Sequence, residues 1–240
     1  MSADRFMNPS IFDPVYIARK GIAQGLKDAA QRYAKGKLID LGCGMKPYED
    51  IFAPYCDSYF GVDYPDAAKL NYGEDTRADL WTDCTETGLD AESFDTVLST
   101  QVLEHIGHPQ KLLEEAHRLL KKGGILIMTA PFLWQEHSIP HDYCRFSQYS
   151  LQSFVEEAGF DVLEIRKLEG AFASIQQMNI VSILGRERKW LLSKIYHGVV
   201  NRFIMIPLIN VAAMTLDKKV HNDKLYLTTL TIAEKREVEE

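Results

Sequence analysis

The sequence predicts an α/β fold with a mainly parallel sheet covered by helices on both faces. Short apolar runs alternate with segments of helical periodicity, which implies crossover connections between parallel strands. The runs are apolar almost without interruption, which implies that both sheet faces are covered. A length of 240 residues with 46% apolar content suits one such domain, 1–240.

The elements follow in order. Pro14 to Lys35 reads as a helix, because Val15, Ile22, Leu26, Ala29, Ala30 and Tyr33 recur near helical spacing and Gly36 stops it. Residues 1–36 are thus a helical segment ahead of the sheet. Leu38 to Leu41, Ser58 to Asp63 and Asp95 to Ser99 (led by Phe94) read as strands. Gln110 to Lys121 is a helix with Leu112, Leu113, Ala116, Leu119 and Leu120 on its apolar side. A turn at Lys122-Gly123-Gly124 leads to a strand from Ile125 to Thr129. A helix from Gln148 to Ala158, ended by Gly159, precedes a strand from Phe160 to Ile165. Leu225 to Ala233 is the final strand.

An insertion, residues 170–222, separates the last two strands. Within it Trp190 to Phe203 is amphipathic: Leu192, Ile195, Tyr196, Val199, Val200 and Phe203 share one face, and Lys194, His197, Asn201 and Arg202 the other. Phe203 to Leu216 is more apolar, but it is short and broken by Pro207 and Asn210, so it does not span a bilayer. The apolar face needs a partner. A lid over the protein's own ligand crevice ranks first and a homodimer contact second. Membrane contact ranks third: Arg186, Arg188, Lys189, Lys194 and Arg202 favour anionic lipid, whereas Glu187 and the acidic chain oppose it.

The net charge of −7 argues against a nucleic-acid enzyme. Met1 to Asn8 has no apolar run, so no secretory signal is expected and the protein is placed in the cytoplasm. Cys43, Cys56, Cys84 and Cys144 form no C-x-x-C pair and read as reduced thiols.

The functional signal is Leu38-Ile39-Asp40-Leu41-Gly42-Cys43-Gly44. A strand ends at Leu41, and glycines at alternate positions let the backbone turn sharply and approach a ligand. Pro47 to Phe52 then opens a helix, whose N-terminus favours an anionic group. About twenty residues on, the second strand ends at Asp63, whose carboxylate can accept from both hydroxyls of a ribose. A dinucleotide site wants a third glycine where Pro47 stands, and Met45 and Lys46 are not small, so NAD is disfavoured.

Ile39-Asp40-Leu41-Gly42-Cys43-Gly44 resembles motif I of the class I S-adenosylmethionine-dependent methyltransferases. Asp63 is similar to the family's acidic residue after the second strand, and Ala78-Asp79-Leu80 resembles its third motif. Ser93 to Val97 resembles its fourth strand. Gln101-Val102-Leu103-Glu104-His105-Ile106 is similar to the V-L-E-H stretch of a branch acting on small molecules, and Leu119 to Gly124 resembles that branch's turn into the fifth strand.

The resemblance implies a Rossmann-like open sheet of about seven strands, the last antiparallel, and S-adenosylmethionine as cofactor. It assigns Asp40 to the glycine loop and the cofactor's amino group, and Gly42, Cys43 and Gly44 to its methionine portion. It further assigns Asp63 to the ribose, Tyr64 and Leu80 to packing near the adenine, Asp79 to the adenine amino group and Gln101 to the methionine portion.

Methyl transfer is a direct displacement, so alignment is the protein's main contribution, with a base where the acceptor must lose a proton. Candidates lie after the fifth strand, where a parallel sheet places its site: His137, His141, Asp142 and Arg145. The stretch from His141 to Ser147 resembles some methyltransferases of glycan and secondary-metabolite pathways. Two blander readings stand beside these roles. Asp142 and Arg145 can form an ion pair that only fixes the loop. His137 and His141 can be a metal pair, but Pro140 disrupts i, i+4 geometry, and no metal is expected.

The expected activity is O- or N-methylation of a small-molecule or glycan-like acceptor. A catalytically inactive cofactor-binding subunit is the alternative.

Overall fold

The computed structural model describes residues 4–66, 76–184, 200–217, 219 and 222–236. Seven strands form one sheet in the order β3-β2-β1-β4-β5-β7-β6. They are β1 Lys37–Leu41, β2 Ser58–Asp63, β3 Leu80–Trp81, β4 Phe94–Thr100, β5 Leu120–Pro131, β6 Phe160–Leu168 and β7 Thr228–Lys235. The pairs β1–β2, β1–β4, β2–β3 and β4–β5 are parallel, whereas β7 runs antiparallel to both β5 and β6. The expected seven-stranded α/β sheet with an antiparallel last strand is therefore present.

Seven α-helices are described: α1 Asp4–Met7, α2 Tyr16–Tyr33, α3 Glu49–Phe52, α4 Pro109–Leu119, α5 Gln148–Glu157, α6 Ala171–Leu184 and α7 Ile206–Leu216. Side chains alternate across each strand, and the two sheet faces bury separate cores. Ile39, Leu41, Val97, Leu126, Met128 and Ala233 face α4 and α5, meeting Leu112, Leu113, Ala116, Leu119, Leu151 and Val155. Leu38, Leu98, Ile125, Ile127, Leu230 and Ile232 face the other way, onto Ile22, Leu26, Ala29 and Ala30 of α2 and Ile51 and Phe52 of α3. This two-sided burial is why the strands read as unbroken apolar runs.

Three elements depart from the sequence expectation. The Lys122–Gly124 turn is a bulge inside β5: Leu120 already pairs with Phe94 before Ile125 pairs with Thr96, and Gly123 takes φ 66° at the bulge. The final strand starts at Thr228, not Leu225, because its partner β5 ends at Pro131. Tyr226 instead stacks on Phe132 with centroids 4.3 Å apart, and Leu227 carbonyl accepts from Phe132 and Leu133 N–H. The helix expected after the glycine turn is a single turn, Glu49–Phe52.

The amphipathic helix expected at Trp190 to Phe203 lies outside the described residues as far as residue 199, as do Arg186, Arg188, Lys189 and Lys194. Its described end is a π-helical turn, Asn201–Met205, leading into α7. Together α6, α7 and the start of α2 build a third cluster, in which Ala173 and Ala213 meet Tyr16, Ile17 and Ala18, with Trp134 packed against it. No helix among the described residues is long and apolar enough to cross a membrane.

Candidate active site

The carboxyl ends of β1, β2, β4 and β5 share one edge of the sheet, because all four strands are parallel and in register. Leu41 pairs with Val62, and Gly42 and Cys43 both donate to Val62 carbonyl, at 2.8 and 3.0 Å. This turns the chain sharply out of β1. Gly42 sits at φ 81°, and a Cβ there would run into Val102 at the start of the next crossover. The glycine turn therefore lies directly against the Gln101–His105 segment.

Two carboxylates shape the turn. Asp63 accepts from Gly44 N–H at 2.6 Å and from Tyr64 N–H at 2.7 Å, one oxygen each, so it ties β2 to the turn while keeping further lone pairs for a ligand. Asp40 is 1% exposed. Its Oδ2 accepts from Tyr59 hydroxyl at 2.5 Å, and its Oδ1 is buried with no hydrogen-bond partner. Burial pushes the Asp40 carboxyl up to about 7, against the lowering effect of the Tyr59 hydroxyl. An orphaned buried carboxylate oxygen is the feature that a ligand's ammonium would satisfy.

The other expected cofactor residues are placed as follows. Asp79 Oδ2 accepts from Gly61 N–H at 2.7 Å and also pairs with Lys46. Leu80 is half-buried against the α4-side core, and Tyr64 is exposed beyond β2. Gln101, at φ 55°, bonds Thr129 at the end of β5 through both its backbone N–H (3.0 Å) and its side chain (3.2 Å).

Lys46 is a residue the sequence reading missed. It entered only as too large for a dinucleotide turn, yet it is 8% exposed and lies in the space left by Gly61, where a Cβ would crowd its Cε. The signal was the Gly61 in the middle of an apolar strand, which marks a close approach.

The loop after β5 is organised by Arg145. Its five N–H groups meet Asp142 Oδ1 (2.6 Å), Asp142 Oδ2 (2.8 Å), Trp134 carbonyl (3.2 Å), Gln135 carbonyl (2.9 Å) and Cys144 carbonyl (2.7 Å). Asp142 also accepts from His137 N–H at 2.9 Å, and the Arg145 guanidinium holds its carboxyl far below the usual carboxylate range. Both side chains thus hold the loop itself. Phe146 enters the core, and Ser147 caps α5 by accepting from Ser150 N–H at 3.2 Å.

The two expected histidines part company. His141 Nδ1 lies 3.2 Å from Tyr143 hydroxyl at the surface. His137 turns inward to His105, ring centroids 4.7 Å apart, and its Nε2 is 3.9 Å from Glu104 Oε1. Glu104 is 0% exposed, and neither of its carboxylate oxygens has a hydrogen-bond partner. Burial pushes its carboxyl up to about 8 and holds His105 below the ordinary histidine value. Glu104 and His105 stood in the V-L-E-H stretch, but their meeting with a histidine 32 residues later depends on the β4–β5 register.

A glycine turn flanked by strand-end carboxylates, beside a polar loop on a seven-stranded sheet, defines the class, and comparison with known proteins agrees. The chain belongs to the S-adenosylmethionine-dependent methyltransferase family. A model of the methyltransferase domain matches residues 39–128. The ubiquinone biosynthesis O-methyltransferase of Cereibacter sphaeroides is 31% identical over 183 residues, covering 66% of this chain and 73% of that protein. The enzyme of the same name from Coxiella burnetii is 28% identical over 158 residues, covering 55% of this chain and 66% of the relative. Among solved structures, the [4+2]-cyclase SpnF superposes with TM-score 0.56 at 19% identity, covering 92% of this chain and 82% of that one. That last likeness concerns the fold alone.

Proposed function

We propose that this chain transfers the methyl group of S-adenosylmethionine to a hydroxyl oxygen of a small-molecule acceptor. The observation that carries this reading is the buried, unpartnered Asp40 oxygen beside an open glycine turn, at the sheet edge that also bears the β5 loop. The O-methyltransferase names of the two relatives support oxygen as the atom methylated. No specific observation favours an inactive partner subunit.

The bound cofactor supplies an activated methyl group on a sulfonium. Asp40 accepts from its amino group, and Gly42, Cys43 and Gly44 admit its methionine portion. Asp63 accepts from the ribose hydroxyls with the lone pairs left beyond Gly44 and Tyr64. Tyr64 and Leu80 flank the adenine, and Asp79 reaches it only from the edge that Lys46 leaves uncovered. Gln101, fixed by Thr129, stands where β4 meets the crevice.

On the acceptor side, the Asp142–Arg145 pair positions the loop, and His137 or His141 takes the acceptor's proton. The α6–α7 insertion, which reaches Trp134 of this loop, acts as a lid that excludes water during transfer.

Calorimetry with S-adenosylmethionine and S-adenosylhomocysteine tests the cofactor half. Micromolar binding by the wild type is expected, with at least a tenfold loss in Asp63→Ala, as fits the loss of charged hydrogen bonds worth about 1.5–3 kcal/mol each. Labelled methyl transfer to a panel of phenols, catechols and glycans tests the acceptor half. Binding without transfer to any hydroxyl would retain the cofactor assignment and overturn the reaction.

A further inference from the structure

Glu104, His105 and His137 converge where nothing in the methyl-transfer reading needs them all. Their ligand-capable atoms lie within 4.8 Å of one another. His105 Nε2 is 3.8 Å and His137 Nε2 3.9 Å from Glu104 Oε1, too long for hydrogen bonds. The three groups therefore face each other without bonding.

The outer ring nitrogens explain why. His105 Nδ1 lies 2.6 Å from His141 carbonyl, an acceptor only, so this nitrogen carries the proton. His137 Nδ1 lies 3.3 Å from Gln135 carbonyl and 3.4 Å from Asp142 Oδ2, both acceptors and both nearer than the one donor, Arg145 Nη2 at 3.5 Å. Both imidazoles thus turn Nε2 inward, as a lone pair in the tautomer that their nearer outer neighbours favour, towards a carboxyl whose two oxygens are buried and unpartnered. Three potential electron-pair donors meet with no hydrogen bond between them. A carbonyl or carboxylate behind each histidine is the usual outer support of metal-bound imidazoles.

We propose that Glu104, His105 and His137 bind a divalent first-row transition ion, Zn²⁺ in the first instance, at the acceptor side of the crevice. Two imidazoles and one carboxylate suit such an ion, whereas Mg²⁺ and Ca²⁺ call for oxygen donors alone. Bonds of about 2.0–2.2 Å require the inner atoms to close by only a few tenths of an ångström to about an ångström. Three protein ligands leave a fourth position open, as in catalytic sites. This proposal departs from the expectation of no metal. The His137–His141 pair that the sequence offers is not the one that forms, because His141 contributes its carbonyl behind His105 while its ring faces Tyr143.

The metal site stands whether or not the methyl-transfer reading does. If that reading holds, His137 serves the ion and His141 is left to take the acceptor's proton; the open position would hold the acceptor's hydroxyl, and the ion would favour its alkoxide, as it lowers the pKa of bound water.

The test uses the full chain, stripped with chelator and then titrated with ZnCl₂ under calorimetry, with metal content read by mass spectrometry after dialysis. One Zn²⁺ per chain is expected in the wild type and in His108→Ala, an exposed histidine outside the cluster. Glu104→Gln, His105→Ala and His137→Ala are each expected to weaken binding at least a hundredfold. Co²⁺ loading should give visible bands of a low-coordinate nitrogen–oxygen site in the wild type and in His108→Ala, and in none of the three cluster variants. Circular dichroism and S-adenosylmethionine binding confirm that each variant is folded, and Glu104→Gln, nearly isosteric, guards against loss of fold in the others. Equal Zn²⁺ content in the wild type and in all three variants would place the ion elsewhere, for example on the cysteines, and would overturn the proposal, as would a wild type that retains none.

Discussion

Asp40 stands at the junction of the core and the crevice, and its ionisation links the two. It lies on the face of β1 that α2 covers, next in line to Leu38, so its carboxylate is taken out of water with one hydroxyl for company. An unfolded aspartate titrates near 3.8, and the folded one near 7. The folded state therefore keeps a proton that the unfolded state has lost, and the stability this gives is present at low pH and lost as pH rises from about 4 through about 7. Asp40→Asn removes that dependence. In urea titrations the ligand-free variant should be more stable than the wild type at pH 8, by on the order of 2–4 kcal/mol, and little different at pH 4. Its affinity for S-adenosylmethionine should fall at least tenfold at pH 8. Wild-type affinity should rise between pH 6 and pH 8 as the carboxylate forms, and the variant's should stay flat. A variant that keeps the wild-type pH profile would show that Asp40 does not meet the ligand's amino group.

At the level of elements, the loop from residue 132 to 147 is held by one guanidinium. A lysine keeps the charge of Arg145 but has three donors on a single nitrogen, so it cannot reach Asp142 and three carbonyls on different sides. Arg145→Lys should cost about 2 kcal/mol and speed protease cleavage within the loop. It should lower kcat severalfold while donor affinity stays within about twofold, because the glycine turn is built on other strands. An unchanged cleavage pattern would show that the ion pair is not what orders the loop.

The sequence exposed such elements unevenly. Strands β1, β2, β4 and the centre of β5 are legible because two-sided burial makes each an apolar run. At two residues, β3 has no periodicity to read, and only the likeness of Ala78-Asp79-Leu80 to a known motif marked its place. The end of β5 and the start of β7 depend on each other's length, which no local pattern contains. Glycines and carboxylates of the crevice were legible because they follow strand ends at fixed spacing. Lys46 and the Glu104–His105–His137 group were not, since their meaning comes from a gap at Gly61 and from the neighbouring of β4 and β5.

Across the whole molecule, the chain's beginning is fastened to its late insertion by two buried amides. Gln177 on α6 donates to Pro14 carbonyl at 2.7 Å and accepts from Ala18 N–H at 3.4 Å. Asn210 on α7 donates to Ile11 carbonyl at 2.7 Å and to Asp13 carbonyl at 3.3 Å. Asp13 in turn pairs with Arg19 of α2 at 2.5 Å. Residues far apart in sequence thus form one layer above α2, and that layer includes Trp134 of the acceptor-side loop. If the insertion is a lid, this layer is its anchor rather than its moving part. Replacing both amides with alanine removes the side-chain partners of Pro14 carbonyl, Ala18 N–H and Ile11 carbonyl, at about 1–3 kcal/mol for each group that stays buried. Gln177→Ala/Asn210→Ala should therefore melt several degrees lower, and proteolysis should begin in residues 8–15 and in α7 before the sheet is cut. Donor affinity should be unchanged, since neither amide touches the glycine turn, while the KM for the acceptor should rise as the lid loses its fixed base. A variant with wild-type proteolysis and wild-type acceptor KM would show that the insertion is seated by its apolar contacts alone. A fall in donor affinity equal to the change in KM would show that the layer supports the whole crevice and not one side of it.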